Sequence, residues 1–406
     1  MMRTITLLLF LILAGGTIAQ GYNPNGSLLW EIKSKQGTSY LFGTLHSNDK
    51  QLFELPDSVY ITFLKSNKVA LEVNVLDLFA EKSPIPYSSN ILLDKKGRIY
   101  TSSEEPTSTY YGNEDGMPQF MDAWFQEKAE LLDKQIIELE TIAQQTKAIE
   151  EIPFIESINR PGLPKAEPKI MQEMYLQGKI EMIDYLIKGG LSGNSDAYYK
   201  LIENRNKAMA IKLSEQLKEG GVFCAVGAGH LNGENGLLNL LRSMGYSIRQ
   251  VNLTRSQNRV EAAIKLNAVK SYEFTRLIDS STIRFIIPGK PRERKTTQDF
   301  TRALSYKELG QGNTYEVSWV PRDSSISLLE YAEILIASPP QCPYVFGVLD
   351  DGTEYTQGLS DSYSDGVKWT RIIINDEFVV VASCSGGNKF MNSDRPTKFF
   401  NTVILE

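Results

Sequence analysis

Histidine is the scarcest chemically versatile residue in this chain. Its 406 residues include two, His46 and His230. Any chemistry that needs an imidazole must therefore use one or both. Cysteine is nearly as scarce: Cys224, Cys342 and Cys384 form an odd, widely spaced set. That set is not a disulfide framework, although a single Cys342–Cys384 bridge stays open. Cys224 lies inside an apolar strand candidate and suits packing there. A basic excess is missing too. Lys and Arg total 43 against 49 Asp and Glu, for a net charge of −6. The electrostatic footprint of a nucleic-acid partner is thus not evident. Beyond the amino-terminal stretch no apolar run is long enough to cross a bilayer.

The amino-terminal stretch reads "MMRTITLLLFLILAGGTIAQ". One early positive charge, Arg3, precedes an apolar run, and Thr17-Ile18-Ala19 supplies small residues before Gln20. This is the grammar of a secretory signal peptide over residues 1–19. It predicts export to a periplasmic or extracellular compartment and no retained transmembrane segment. A retained anchor is the alternative, but the apolar stretch is short for one. No cysteine follows at a position suited to lipid attachment.

The rest of the chain is long enough for two domains. "SLLWEIKSKQGTSYLFGTLH" predicts two strands around a turn at Lys33 to Gly37, and "KVALEVNV" a third, with Glu72 breaking its apolar run. "LPDSVYITFLKSN" between them predicts a short helix. Residues 80–117 read as a surface excursion with one small hairpin. Helical spacing then runs from Pro118 through Gln145, and again over "IMQEMYLQGKIEMIDYLIKGG" and "DAYYKLIENRNKAMAIKLSEQLKEGG", each of these closed by paired glycines. "GVFCAVGAGHLNGENGLLNLLRSMGYSIRQV" reads strand, sharp turn, helix, glycine, strand, the pattern of a β-α-β unit. Past residue 255, strand-like runs separated by polar turns dominate. The fold expected is α/β: a mixed central sheet with surrounding and inserted helices over residues 20–255, then a β-rich region over 256–406.

Both histidines follow a short apolar run, with a glycine three residues earlier: Gly43-Thr44-Leu45-His46 and Gly227-Ala228-Gly229-His230. His230 falls at the carboxyl end of a strand, where open α/β sheets place ligands. Imidazole is both a common metal ligand and a base near neutrality, and carboxylates share metals with it. A buried Glu72 would need a partner, either a metal or an arginine. Arg205 is the candidate arginine, beside an inward-facing Asn206. It could orient Glu72, bind a substrate oxygen, or make an ordinary surface ion pair. Glu140 and Gln144, four residues apart on the expected long helix, could share a face or simply be solvated. Cys224 does not suit a nucleophile, and "GAGHLNG" has the wrong glycine spacing for a dinucleotide loop.

The pieces "YLFGTLH", "ALEVN", "ELETIAQQ", "RNKAMA" and "VGAGHLNGENGLLNLLRSMGYSI", in that order, resemble the TraB/GumN family, related to the Tiki membrane metalloproteases. The resemblance spans about residues 28–251. It implies a metal-dependent hydrolase, with peptide hydrolysis best supported among the Tiki relatives. Family motif positions fall on His46, Glu72, Arg205 and His230, while Glu140 and Gln144 match the "LET…Q" segment. Many relatives have a glycine before Leu-Glu-Thr where this chain has Glu138. The implied roles are a divalent ion, Mn²⁺, Co²⁺ or Zn²⁺, on His46, Glu72 and His230. Glu72 or Glu140 would serve as base and Arg205 as oxyanion partner. The substrate would be a peptide or protein. The layout also resembles erythromycin-esterase-like enzymes, which implies a metal-independent hydrolase as the alternative. A secreted or periplasmic binding protein with a degenerate active site is the third reading.

Overall fold

In the computed structural model the described residues are 26–77, 120–151, 167–254 and 272–406, with short gaps, and isolated positions between 93 and 118. The expected signal peptide and most of the expected 80–117 excursion lie outside the described residues. The chain divides into two compact units: residues 1–45, 49–65 and 147–259, and residues 46–48, 66–146 and 260–406.

The first unit is built on a mixed sheet. β1 (Leu29–Lys33) and β2 (Thr38–Thr44) form the expected hairpin, with Leu29 opposite Phe42. β7 (Val222–Gly227) pairs parallel to β2, Leu41 opposite Cys224, and β8 (Ser247–Gln250) pairs antiparallel to β1. Val222 through Val226 are fully buried, as expected of an uninterrupted apolar strand in a sheet interior. β7, the helix Leu237–Ser243 and β8 make a crossover that passes over β2 and β1. The helix Asn204–Leu217 is extended at its start by a π-helical turn, Tyr199–Glu203. Gly220 (φ 73°) and Gly221 (φ 70°) end it in the left-handed region, which glycine enters without a Cβ penalty. The stretch from Ile170 to Gly190, expected as one helix, is two: Pro168–Leu176 and Ile180–Gly190. Gly178, at φ 67°, breaks them.

The second unit contains the parallel pair β3 (Lys68–Leu71) and β6 (Gln135–Glu138), and a small hairpin of β4 (Ser108–Thr109) and β5 (Gly112–Asn113). The single helix expected from Pro118 to Gln145 is corrected here. A helix covers Met121–Leu131, Asp133 turns the chain with φ 53°, β6 follows, and a second helix runs Ile142–Glu150. Ile136 and Ile137 are β-branched and favour the strand.

The carboxyl-terminal part of this unit is β-rich, as expected. β9 (Tyr272–Ile278), β10 (Ser281–Ile287) and β18 (Ile404–Leu405) form one sheet. The other is antiparallel, ordered β11 (Arg292–Arg294), β12 (Arg302–Lys307), β13 (Thr314–Pro321), β17 (Phe378–Ser385), β16 (Gly366–Ile374), β15 (Glu354–Ser362) and β14 (Val345–Val348). Alternate residues such as Val317, Trp319, Ile373, Val380 and Phe285 fill the main core. The helix Leu328–Leu335 packs Tyr331 and Ala332 with Ile372 and Val379. Ser327 and Glu330 start that helix with reciprocal side-chain-to-backbone bonds, which satisfy two otherwise orphan amides. No disulfide joins Cys342 and Cys384, and all three cysteines are buried.

Candidate functional site

In the first unit β2 and β7, the strands that carry Gly43 and Gly227, are parallel neighbours. Thr44 of β2 stands opposite Gly227 of β7. Gly43 needs its missing Cβ: one would lie 2.6 Å from Leu231 Cδ1 and 3.2 Å from Ala228 Cβ. Tyr175, fully buried, donates its hydroxyl to the Gly43 carbonyl at 2.6 Å and fixes the strand end.

His230 is buried in the short turn after β7. Its Nδ1 lies 2.6 Å from Asn206 Oδ1, and Asn206 Nδ2 donates to the Asn235 carbonyl at 2.8 Å. The second bond orients the amide, because only its nitrogen can donate to a carbonyl. The amide oxygen therefore faces the ring, and an oxygen that only accepts requires a proton on Nδ1. In neutral His230 the lone pair is thereby assigned to Nε2. Asn206 is fully buried and sits one turn beyond the π-helical segment, a feature frequent at functional sites. Arg205 is half-buried, and its Nη1 donates to the Leu201 carbonyl at 3.0 Å.

A second network holds the same loop. Tyr198 donates its hydroxyl to Asp184 Oδ1 at 2.5 Å, Lys188 reaches Oδ2 at 2.9 Å, and Asn232 Nδ2 reaches Oδ2 at 3.3 Å. Burial, reinforced by the bond to Asp184, pushes the Tyr198 phenol far above its ordinary value. Sequence reading missed Asp184 and Tyr198. The available signal was a carboxylate on an apolar stripe: Asp184 shares the buried face with Ile180, Ile183 and Leu186.

In the second unit Glu72 and Glu140 are brought together at the ends of adjacent parallel strands. Leu139 N donates to Leu71 O at 2.9 Å and Glu140 N to Glu72 O at 2.8 Å. Both glutamates are buried. The segment after Glu72 is clamped by Gln126, which accepts from Val75 N at 2.7 Å and donates to Asn74 Oδ1 at 2.7 Å. Gln144 does not share a helix face with Glu140, which precedes the helix. Instead Gln144 Oε1 accepts from Thr141 N at 2.8 Å while Gln144 N donates to Thr141 Oγ1 at 3.2 Å. Its job is to cap the helix start. His46 is exposed. Its Nε2 lies 3.4 Å from Oδ2 of the buried Asp122, and its ring stacks at a tilt on Phe120, 5.4 Å between centroids. Asp122, in the first turn of its helix where a carboxylate is favoured, was also missed from sequence.

These positions correct the metal expectation. A structural zinc site takes four protein ligands and a catalytic one three. Among the described residues no group of three or more His, Cys, Asp and Glu side chains is placed to hold a metal ion. His46 faces one carboxylate, and His230 is oriented by a neutral amide. The expected Mn²⁺, Co²⁺ or Zn²⁺ site on His46, Glu72 and His230 is therefore not formed. The readings as metalloprotease and metal-dependent hydrolase, with Glu72 or Glu140 activating a metal-bound water, fall with it.

The TraB/PrgY/gumN family model matches residues 28–102 and 106–250, more than half of the sequence, and the chain belongs to this family. The match does not extend to a link with Tiki metalloproteases or to esterases. No curated protein is significantly similar in sequence. The solution structure of cyanobacterial PsbP (CyanoP) from Synechocystis sp. PCC 6803 aligns with 34% of this chain and 95% of its own, at 7% identity and a TM-score of 0.27.

Proposed function

We propose that this TraB/PrgY/gumN-family chain is an exported binding protein that captures a peptide segment at the His230 end of its first unit, without a metal ion. The observation that carries the reading is the Asn206–His230 bond. It fixes the ring and assigns Nε2 as an acceptor in the neutral form. A peptide supplies N–H donors to such a nitrogen, and strand carboxyl ends are where α/β sheets take ligands. Arg205, beside Asn206 in the chain, is the proposed partner for a peptide carbonyl or carboxylate. The Arg3-led apolar run supports export.

The test uses a displayed library of random linear peptides, selected on the purified protein with and without a chelator. Wild type should enrich a common motif in both conditions, His230→Ala should lose it, and the bound peptides should remain intact. Failure to enrich any motif, or enrichment that needs added metal, would refute the reading. Chelator-insensitive cleavage of esters would favour a metal-free hydrolase instead, with Nε2 of His230 as the base.

A further inference from the structure

The second unit holds a buried positive charge with no negative partner among the described residues. Arg371, on β16, is 4% exposed. Its Nε donates to Gln357 Oε1 at 3.0 Å and its Nη1 to Asn401 Oδ1 at 3.1 Å. Both acceptors are neutral amides. Its guanidinium carbon lies 4.3 Å from the centre of the Tyr355 ring and 5.1 Å from that of Phe400. Arg371 makes no ion pair with any described residue, whereas Arg292 and Arg395 of the same unit each have a glutamate. Cys384, on the neighbouring strand β17, does not supply the charge, because burial keeps its thiol protonated. Nη2 has no acceptor among the described residues, yet it is not among the fully buried unpartnered atoms.

A guanidinium stays protonated in proteins, so it cannot escape this burial by shedding its charge. Stacking on two rings and two amide bonds offset part of the desolvation. They leave the charge uncompensated, which is the costly state for a buried ion. Arginine also presents a planar fork of donors that suits carboxylate and phosphate oxygens. Asn401 is exposed and stands at the end of the helix Arg395–Phe400, so an oxyanion approaching there meets the guanidinium edge. We infer that Arg371, framed by Gln357, Asn401, Tyr355 and Phe400, is an oxyanion-binding site that takes a carboxylate or phosphate group of a ligand. This site lies outside the residues matched to the family and is independent of the proposed peptide site.

The test is thermal unfolding of the full chain in chloride buffer, with inorganic phosphate or acetate added at constant ionic strength. At least one of the two probes should raise the wild-type midpoint in a saturable way, and which one does so separates phosphate from carboxylate recognition. Asn401→Asp supplies a carboxylate in place of the amide that now meets Nη1. It should unfold at a higher temperature than wild type in chloride alone and bind the active probe at least tenfold more weakly. Arg371→Met should lose the response altogether. If neither probe shifts wild type, or if Asn401→Asp responds as wild type does, the inference is wrong. The Asn401 variant keeps the test decisive even where Arg371→Met fails to fold.

Discussion

His230 donates from Nδ1 to Asn206 Oδ1 across 2.6 Å, and the same amide donates onward to Asn235 O. Nitrogen NMR of the ring at neutral pH should therefore report the Nδ1–H tautomer in wild type. Asn206→Ala should release that preference, leaving the buried His230 ring without this acceptor and the half-buried Asn235 carbonyl without this donor. A cost of about 1–3 kcal/mol is expected in urea unfolding, the range for stranding a buried polar group. An unchanged ring spectrum in Asn206→Ala would show that the amide does not set the tautomer.

Gly236 closes the loop that carries His230. A Cβ there would lie 2.2 Å from the Asn232 carbonyl oxygen and 2.5 Å from that of Leu231. These are backbone atoms and cannot swing away as a side-chain end can. Gly236→Ala should therefore lower stability by about 1–3 kcal/mol, the usual cost of overpacking, and weaken peptide capture together with it. A crystal structure of that variant with the loop unmoved would contradict this.

Much of the α/β scaffold was legible in sequence because local signals agreed with tertiary context. The hairpin β1–β2 announced itself by Trp30, Ile32, Tyr40 and Phe42, and β7 by its unbroken apolar run. The helix-to-strand switch after Leu131 was not legible. It depends on Asp133 entering the left-handed region, which few non-glycine residues do, while the following Ile136 and Ile137 also fit helical spacing. At the site, the scarcity of histidine pointed to His230, and inward helical spacing pointed to Asn206. Their direct bond joins residues 24 positions apart, and no periodicity encodes it. The metal expectation failed at the same level. Ligand type is visible in a sequence, but the convergence of three donors is not.

Glu31 and Arg249 face each other across β1 and β8, with Nε–Oε1 at 2.7 Å and Nη2–Oε2 at 3.1 Å. The bond from Arg249 holds the Glu31 carboxyl below its ordinary value, against an opposing push from burial. A depressed carboxyl contributes stability above the unfolded value of 4.5, and that contribution is lost as pH falls through the lower folded value. Wild type should accordingly lose stability relative to Glu31→Gln on acidification below 4.5. Because the Arg249 side chain is 70% exposed, the difference should shrink in high salt. Parallel pH profiles of the two proteins would contradict the assignment.

Thr141 and Gln144 cap the helix Ile142–Glu150. Thr141→Ala should cost about 0.5–2 kcal/mol, as loss of an N-cap does. Gln144→Ala should leave peptide capture unchanged, since its side chain serves the helix start. Loss of capture at unchanged stability in Gln144→Ala would return this residue to the binding site.

The central claim is that His230 acts through a fixed hydrogen-bonding tautomer and not as a metal ligand. The most direct measurement is elemental mass spectrometry of the purified protein after incubation with Mn²⁺, Co²⁺ or Zn²⁺ and desalting, for wild type, His46→Ala and His230→Ala. The account predicts far less than one equivalent of each metal in wild type and no difference among the three proteins. One retained equivalent in wild type, lost in both folded histidine variants, would contradict it.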